Sequence, residues 1–169
     1  KRVVVASSMS VYGNRKPPFS EEGPIDPEDI YAVTKAAMEK TTEILADVHG
    51  FDYTIIRPHN VYGPRQALWD PYRNVVAIFI NRVMKGQPPI IYGDGNQTRA
   101  FSYIEDVNPY VAKAGFLEEA KGEIINVGPT EQYTVNELAE IVLKALNSNL
   151  KPIYMPPRPR EVKNAYCTN

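Results

Sequence analysis

An α/β fold is the class this sequence predicts, and three observations carry the prediction. Short apolar runs rich in β-branched residues recur along the chain, "RVVVA" at 2–6, "YTIIRP" at 53–58 and "EIINVG" at 123–128. Segments with helical spacing of apolar residues stand between and after them. Caps and breakers (Gly, Pro and hydroxyl or carboxylate residues) punctuate the joins. Strand–helix–strand alternation implies right-handed crossovers and a largely parallel sheet covered by helices.

The elements follow in order. Residues 2–6 read as a strand buried on both faces. A loop rich in Gly, Pro and Ser leads to the carboxylates of "PEDI", which suit a helix start. Residues 29–49 carry Ile30, Val33, Ala37, Ile44 and Val48 near helical period until Gly50 stops them. "YTIIRP" is a strand ended by Pro58. A polar loop then opens a helix at about 74–86, closed by Gly86. "PIIYGDG" reads as strand and turn, and "RAFSYI" as a short extended piece. A helix over 105–119 tolerates Pro109 in its first turns. After "EIINVG", the segment "YTVNELAEIVLKAL" is an amphipathic helix, with Thr134 and Glu137 forming a capping-box pattern. The tail from Pro152 is proline-rich and reads mostly as loop.

Composition narrows the function classes. The chain has 169 residues, enough for a domain with a real core, and 43% hydrophobic with 23% charged residues is ordinary for a soluble protein. A formal net charge of -1 makes no case for nucleic acid or a membrane surface as partner. One cysteine, Cys167, rules out a disulfide framework and suits a reducing cytoplasm, and two histidines make a histidine metal site unpromising. No apolar run approaches a membrane span. "KRVVVASS" starts without methionine inside an apolar run, so the expectation is a piece of a larger protein.

Two Tyr-x-x-x-Lys pairs occur, Tyr31–Lys35 in "DIYAVTKAAMEK" and Tyr12–Lys16 in "YGNRK". Residues four apart face the same way only on a helix. Tyr12–Lys16 spans Gly13 and Asn14 and runs into two prolines, so its spacing carries no information. Tyr31–Lys35 lies in a helical segment, where the alternative is an ordinary tyrosine near a solvated lysine. The strand before it ends in hydroxyls, Ser7, Ser8 and Ser10. Ligands of open parallel sheets bind beyond the carboxyl ends of strands. A free phenol, with a pKa near 10, is a poor base at neutral pH, and making it one takes roughly 4 kcal/mol of preference for the phenolate. A lysine ammonium one turn away, with a cationic cofactor ring in a dry site, supplies such a preference. A serine hydroxyl holds the substrate oxygen in line.

"SSMSVYG", "YAVTK", "RPHNVYGPR", "GDGNQTRAFSYIEDV" and "NVG" resemble, in order and spacing, the extended short-chain dehydrogenase/reductases. Among these the chain is most similar to the NAD-dependent nucleotide-sugar epimerases, UDP-glucose (galactose) 4-epimerases above all. The likeness covers essentially all 169 residues. It implies the C-terminal half of a Rossmann-type parallel sheet plus a small substrate-binding α/β subdomain. Residues 1–73 would belong to the NAD-binding domain and 74–169 mainly to the nucleotide-sugar region, with a Rossmann element returning near 99–128. No G-x-x-G-x-x-G occurs in the chain, so the glycine-rich dinucleotide loop would lie upstream.

The same resemblance implies roles for residues. Tyr31 would be the acid/base on the sugar hydroxyl, Lys35 would bind the nicotinamide ribose, and Ser8 would be the catalytic hydroxyl, with Ser10 nearby. Pro58 and His59 match positions beside the nicotinamide, and Asn60 one that binds the sugar diphosphate. Val75 and Val76 would border the nucleotide. Ile90, Ile91 and Tyr92 would flank the uracil, largely through backbone groups. Arg99 and Arg158 would pair with the diphosphate, or else serve surface ion pairs, and Glu161 would take the ribose hydroxyls.

Departures also count. Ala100 stands where the family commonly has aspartate. Arg160 replaces a usual glycine, which leaves Ala165 or Tyr166 as the pocket residue. Met9 and Ser10 stand where 4,6-dehydratases carry Asp-Glu, and decarboxylases also tend to carry a glutamate there. The implied reaction is 4-epimerisation of a UDP-sugar with NAD in a cytoplasmic homodimer. A uronate 4-epimerase or another nucleotide-sugar dehydratase or reductase of the same family, an inactive fragment, and a non-catalytic binding protein of this fold are the alternatives.

Overall fold

A computed structural model of the chain describes residues 1–70, 74–158 and 164–167. The elements in chain order are β1 (Arg2–Ala6), α1 (Ile30–His49), β2 (Asp52–Pro58), β3 (Val61–Tyr62) and α2 (Val75–Met84). Then come β4 (Ile90–Tyr92), β5 (Thr98–Arg99), β6 (Ser102–Tyr103), α3 (Ile104–Ala114) and β7 (Ile124–Val127). The last are β8 (Tyr133–Thr134), α4 (Val135–Ala145), β9 (Ile153–Met155) and β10 (Asn164–Ala165).

A parallel three-stranded sheet, β1-β2-β7, organises the molecule. β2 lies in its centre and buries Thr54, Ile55, Ile56 and Arg57. Against it pack Val107 and Ala114 of α3, joined by Val127 of β7. The expectation that β1 is buried on both faces is corrected: only Val5 is buried, and Val3 is 45% exposed. Among the described residues β1 is an outer strand, hydrogen-bonded to β2 alone.

A second core joins α2 and α4, with Val76, Phe79, Ile91, Leu138 and Val142 among its members. Thr134 and Glu137 form the anticipated capping box: each side chain bonds the other residue's backbone N–H. Small parallel pairings, β3-β6 and β4-β9, and the mixed set β10-β5-β8 surround this core.

Two boundaries differ from the sequence reading. The helix expected over 105–119 ends at Ala114, where the carbonyl accepts from Thr54 Oγ1 at 3.1 Å and from Arg2 Nη1 at 3.3 Å. Side chains of the sheet thus satisfy a terminal carbonyl that a further turn would have used. The described part of the tail also contributes strands: β9 pairs with Ile90–Tyr92, β10 with Thr98–Arg99, and Cys167 bridges to Phe19. Its prolines at 152, 156 and 157 flank β9 rather than interrupt it.

α1 holds its own correction to simple patterning. Its N-cap is Asp29, whose Oδ1 accepts from Ala32 N at 2.7 Å, and Gly50 ends it in the left-handed conformation. The residues it buries are Ala32, Glu39 and Ala46. The apolar stripe of Ile30, Val33, Ala37, Ile44 and Val48 faces outward, with Ile30 85% exposed.

Candidate active site

The chain turns sharply where β1 ends. Ser8 caps a short 3-10 turn, Met9–Tyr12, its Oγ accepting from Ser10 N at 3.2 Å. Gly13 closes that turn at φ 62, where a Cβ would lie 1.8 Å from the Asp26 carbonyl oxygen, so only glycine fits. Val11 and Tyr12 are pulled inside. The turn therefore fixes Ser8 at the carboxyl end of a strand.

Tyr31 and Lys35 occupy the first turns of α1. The Lys35 ammonium donates to the Ala6 carbonyl at 2.7 Å and lies 5.6 Å from the centre of the Tyr31 ring. Phenol and ammonium thus share one helix face, and the lysine contact brings that face to the end of β1. Tyr31 is 54% exposed, so its ring is open to a ligand. The other pair separates completely: Tyr12 is buried and Lys16 exposed. Tyr12 OH donates to Asn126 Oδ1 at 3.0 Å and accepts from Arg57 Nη1 at 2.7 Å, and its ring stacks on Phe19. Burial pushes this phenol up, with Arg57 pulling the other way.

Below the site runs a buried network that the sequence reading missed. Arg57 Nε and Nη2 donate to the two Glu39 carboxylate oxygens at 2.9 and 2.6 Å. Ser7 Oγ donates to the same carboxylate. Burial works against the guanidinium charge, but the Glu39 and Tyr12 hydrogen bonds outweigh it and raise its pKa above the usual value. Glu39 follows Lys35 by four residues, so a carboxylate on the tyrosine–lysine face was the available signal. Its partner, 18 residues away, was not visible from spacing.

The remaining positions divide. Pro58 ends β2, but the His59 imidazole is wholly buried, with Nε2 2.6 Å from Cys167 Sγ. The ring therefore packs inside the fold against Cys167. Asn60 reaches the second region: its backbone is at φ 35 and its Nδ2 donates to the Ala100 carbonyl at 2.8 Å. Ser10 Oγ is buried and has no partner among the described residues.

Val76 and Ile91 belong to the α2–α4 core, Val75 packs against it, and Ile90 and Tyr92 are partly buried. The Arg158 guanidinium lies 3.9 Å from the centre of the Tyr92 ring, so these two expected residues meet. Arg99 Nη1 donates to the Thr98 carbonyl at 2.8 Å. Ala165 is sealed in the core, which leaves Tyr166 as the more open of the two pocket alternatives. Glu161 and Arg160 lie outside the described residues. A cleft of about 750 Å³ opens elsewhere, beyond β7, lined by Tyr62, Tyr103, Tyr110 and Tyr133 with Asp106 and Glu131. It includes none of Ser8, Tyr31 and Lys35; chemistry rather than cavity size locates the site.

His59 gives a pH prediction. An unfolded histidine takes up its proton near pH 6.5. Burial holds folded His59 down to about 4. Its contribution is complete above pH 6.5 and is lost as pH falls toward 4, because the unfolded state then binds the proton first. The loss amounts to about 3 kcal/mol across that window. Urea melts between pH 7 and 4 should show the slope, and His59→Leu should flatten it. Cys167 Sγ, pushed up to about 12 by burial and by the Glu21 charge, stays a neutral thiol beside it.

Among the described residues no three His, Cys, Asp or Glu side chains could hold a metal, and no helix is long and apolar enough to cross a membrane. The sequence pattern of the NAD dependent epimerase/dehydratase family matches residues 1–128. A putative UDP-glucose 4-epimerase of Methanocaldococcus jannaschii is 39% identical over 170 residues, covering 98% of this chain and 53% of that protein. A UDP-N-acetyl-alpha-D-glucosaminuronate decarboxylase of Bacillus cytotoxicus is 34% identical, covering 92% of this chain and 50% of that protein. The crystal structure of Thermus thermophilus UDP-glucose 4-epimerase in complex with NAD superposes with a TM-score of 0.89 at 32% identity, over 99% of this chain and 55% of that one. The chain spans about half the length of the curated relatives it matches. With the strand-end serine, the tyrosine–lysine pair and the parallel sheet in place, the chain belongs to the NAD-dependent epimerase/dehydratase family.

Proposed function

We propose that the protein is a UDP-sugar 4-epimerase acting on UDP-glucose and UDP-galactose. The observation that carries this reading is the presentation of Tyr31 and Lys35 together at the end of β1, where Ser8 caps the turn. These residues fit the nicotinamide-ribose end of NAD: the ammonium and open phenol stand at a strand's carboxyl end, where dinucleotides bind. Pro58, at the end of neighbouring β2, adds a wall. Lys35 would hold the ribose. When bound, NAD supplies the hydride acceptor and donor that no side chain provides.

Tyr31 takes the proton from the sugar 4-hydroxyl as that carbon is oxidised, and Ser8 holds the same oxygen in line. The 4-keto sugar turns over, and Tyr31 returns the proton when the opposite face is reduced. Cofactor and solvent end unchanged. Met9 and Ser10 favour this over water elimination, since neither is the acid/base pair that elimination needs.

Asn60, Arg99 and Arg158 would bind the diphosphate, with the Tyr92–Arg158 stack beside the base. Residues 1–73 would serve the cofactor and 74–169 mainly the sugar nucleotide. The outward apolar stripe of α1 supports a homodimer through that helix, because such a stripe in water invites a partner face.

The test is NMR of the complete protein with NAD and, separately, UDP-galactose, UDP-N-acetylglucosamine and UDP-galacturonate. Inversion at C4 of UDP-galactose, without added reductant, is expected. Inversion of the uronate alone would move the assignment to a uronate 4-epimerase. Release of water or carbon dioxide, or no turnover of any of the three, would overturn 4-epimerisation.

A further inference from the structure

Two hydrogen bonds fasten the end of β1 to successive turns of α1. Lys35 Nζ donates to the carbonyl of Ala6 at 2.7 Å, and Ser7 Oγ donates to the Glu39 carboxylate one turn further on. Ser7 is buried, and its N–H donates to Ile56 O of β2 at 2.7 Å. Glu39 is itself held by the two-pronged contact from Arg57, next to Pro58. Ser7 therefore ties together three elements at the residue immediately before Ser8. Its side chain is turned into this junction.

We propose that Ser7 is a positioning residue: through Glu39 it sets the place of Ser8 relative to Tyr31. This rests on the reading of Ser8 and Tyr31 as the reacting hydroxyls. The ladder to β2 and the Lys35 bond hold the backbone of the strand end, but neither ties the residue next to Ser8 to the helix that carries Tyr31. The Ser7 bond supplies that tie. The acceptor is a charged, buried carboxylate, which makes the contact stronger and more directional than a neutral one. Misplacement by an ångström is enough to cost roughly 100-fold in rate.

Ser7→Ala is nearly isosteric and leaves the Glu39–Arg57 contact intact, so the fold survives it. In the NAD-loaded protein, kcat for the sugar nucleotide should fall roughly 10- to 100-fold with KM within about twofold. Amide exchange over residues 6–12 should quicken roughly tenfold while α4 is unchanged. Ser7→Thr, which keeps the hydroxyl, should recover most of kcat. Unchanged kcat in Ser7→Ala, or exchange quickened equally across the whole chain, would overturn the positioning role. If the unmodified protein turns over no sugar nucleotide, the functional reading fails instead, and the local exchange result still decides whether Ser7 fastens the strand end.

Discussion

Arg57→Ala lowers the unfolding free energy by about 3–5 kcal/mol. Its side chain and that of Glu39 are only 3% and 5% exposed, and the pair is bidentate. Taking the guanidinium away strands a carboxylate in the interior, with Ser7 Oγ as its one remaining partner among the described residues. It also removes the donor to Tyr12 OH and a cation 4.8 Å from that ring. Against a total stability of about 5–15 kcal/mol, such a loss is severe. Urea titration measures it directly. Replacing both partners together, Arg57→Met with Glu39→Leu, should restore most of the loss, because no buried charge is then left alone. A cost below about 1 kcal/mol for Arg57→Ala would mean that water reaches Glu39.

Tyr31→Phe should lower kcat roughly 100- to 10,000-fold, the usual worth of a placed acid/base group, with the melting temperature unchanged. The hydroxyl it deletes belongs to a half-exposed ring, so packing is indifferent to it. KM for the sugar nucleotide should move little, since the diphosphate and base contacts are assigned to Asn60, Arg99 and Arg158. A Tyr31→Phe protein with more than about a tenth of the normal kcat would leave Tyr31 as a bystander.

Much of this architecture was legible because its signals are local. Three β-branched runs became the three strands of the main sheet, and Thr134 with Glu137 announced the start of α4 from four residues. The Tyr31–Lys35 face needed only the helical period. What stayed hidden depends on partners far along the chain. β9 and β10 are three- and two-residue pairings whose other halves lie more than 60 residues earlier, so no run of their own marks them. The His59 ring turns inward against Cys167, 108 residues on. Periodicity placed α1 but not its orientation: it buries a glutamate and shows its isoleucines, which makes sense only once Arg57 is seen waiting in β2.

Of the two identically spaced tyrosine–lysine pairs, Tyr31–Lys35 is proposed to do chemistry, and Tyr12 is built into the buried network. Measuring turnover of UDP-galactose and thermal stability side by side in Tyr31→Phe and Tyr12→Phe tests this division. Tyr31→Phe should lose turnover and keep its melting temperature. Tyr12→Phe should keep kcat per folded molecule but lose about 1–3 kcal/mol, because Arg57 and Asn126 each lose a buried partner. Equal losses of turnover in both variants, or retention of turnover in Tyr31→Phe, would contradict the assignment of Tyr31 as the acid/base.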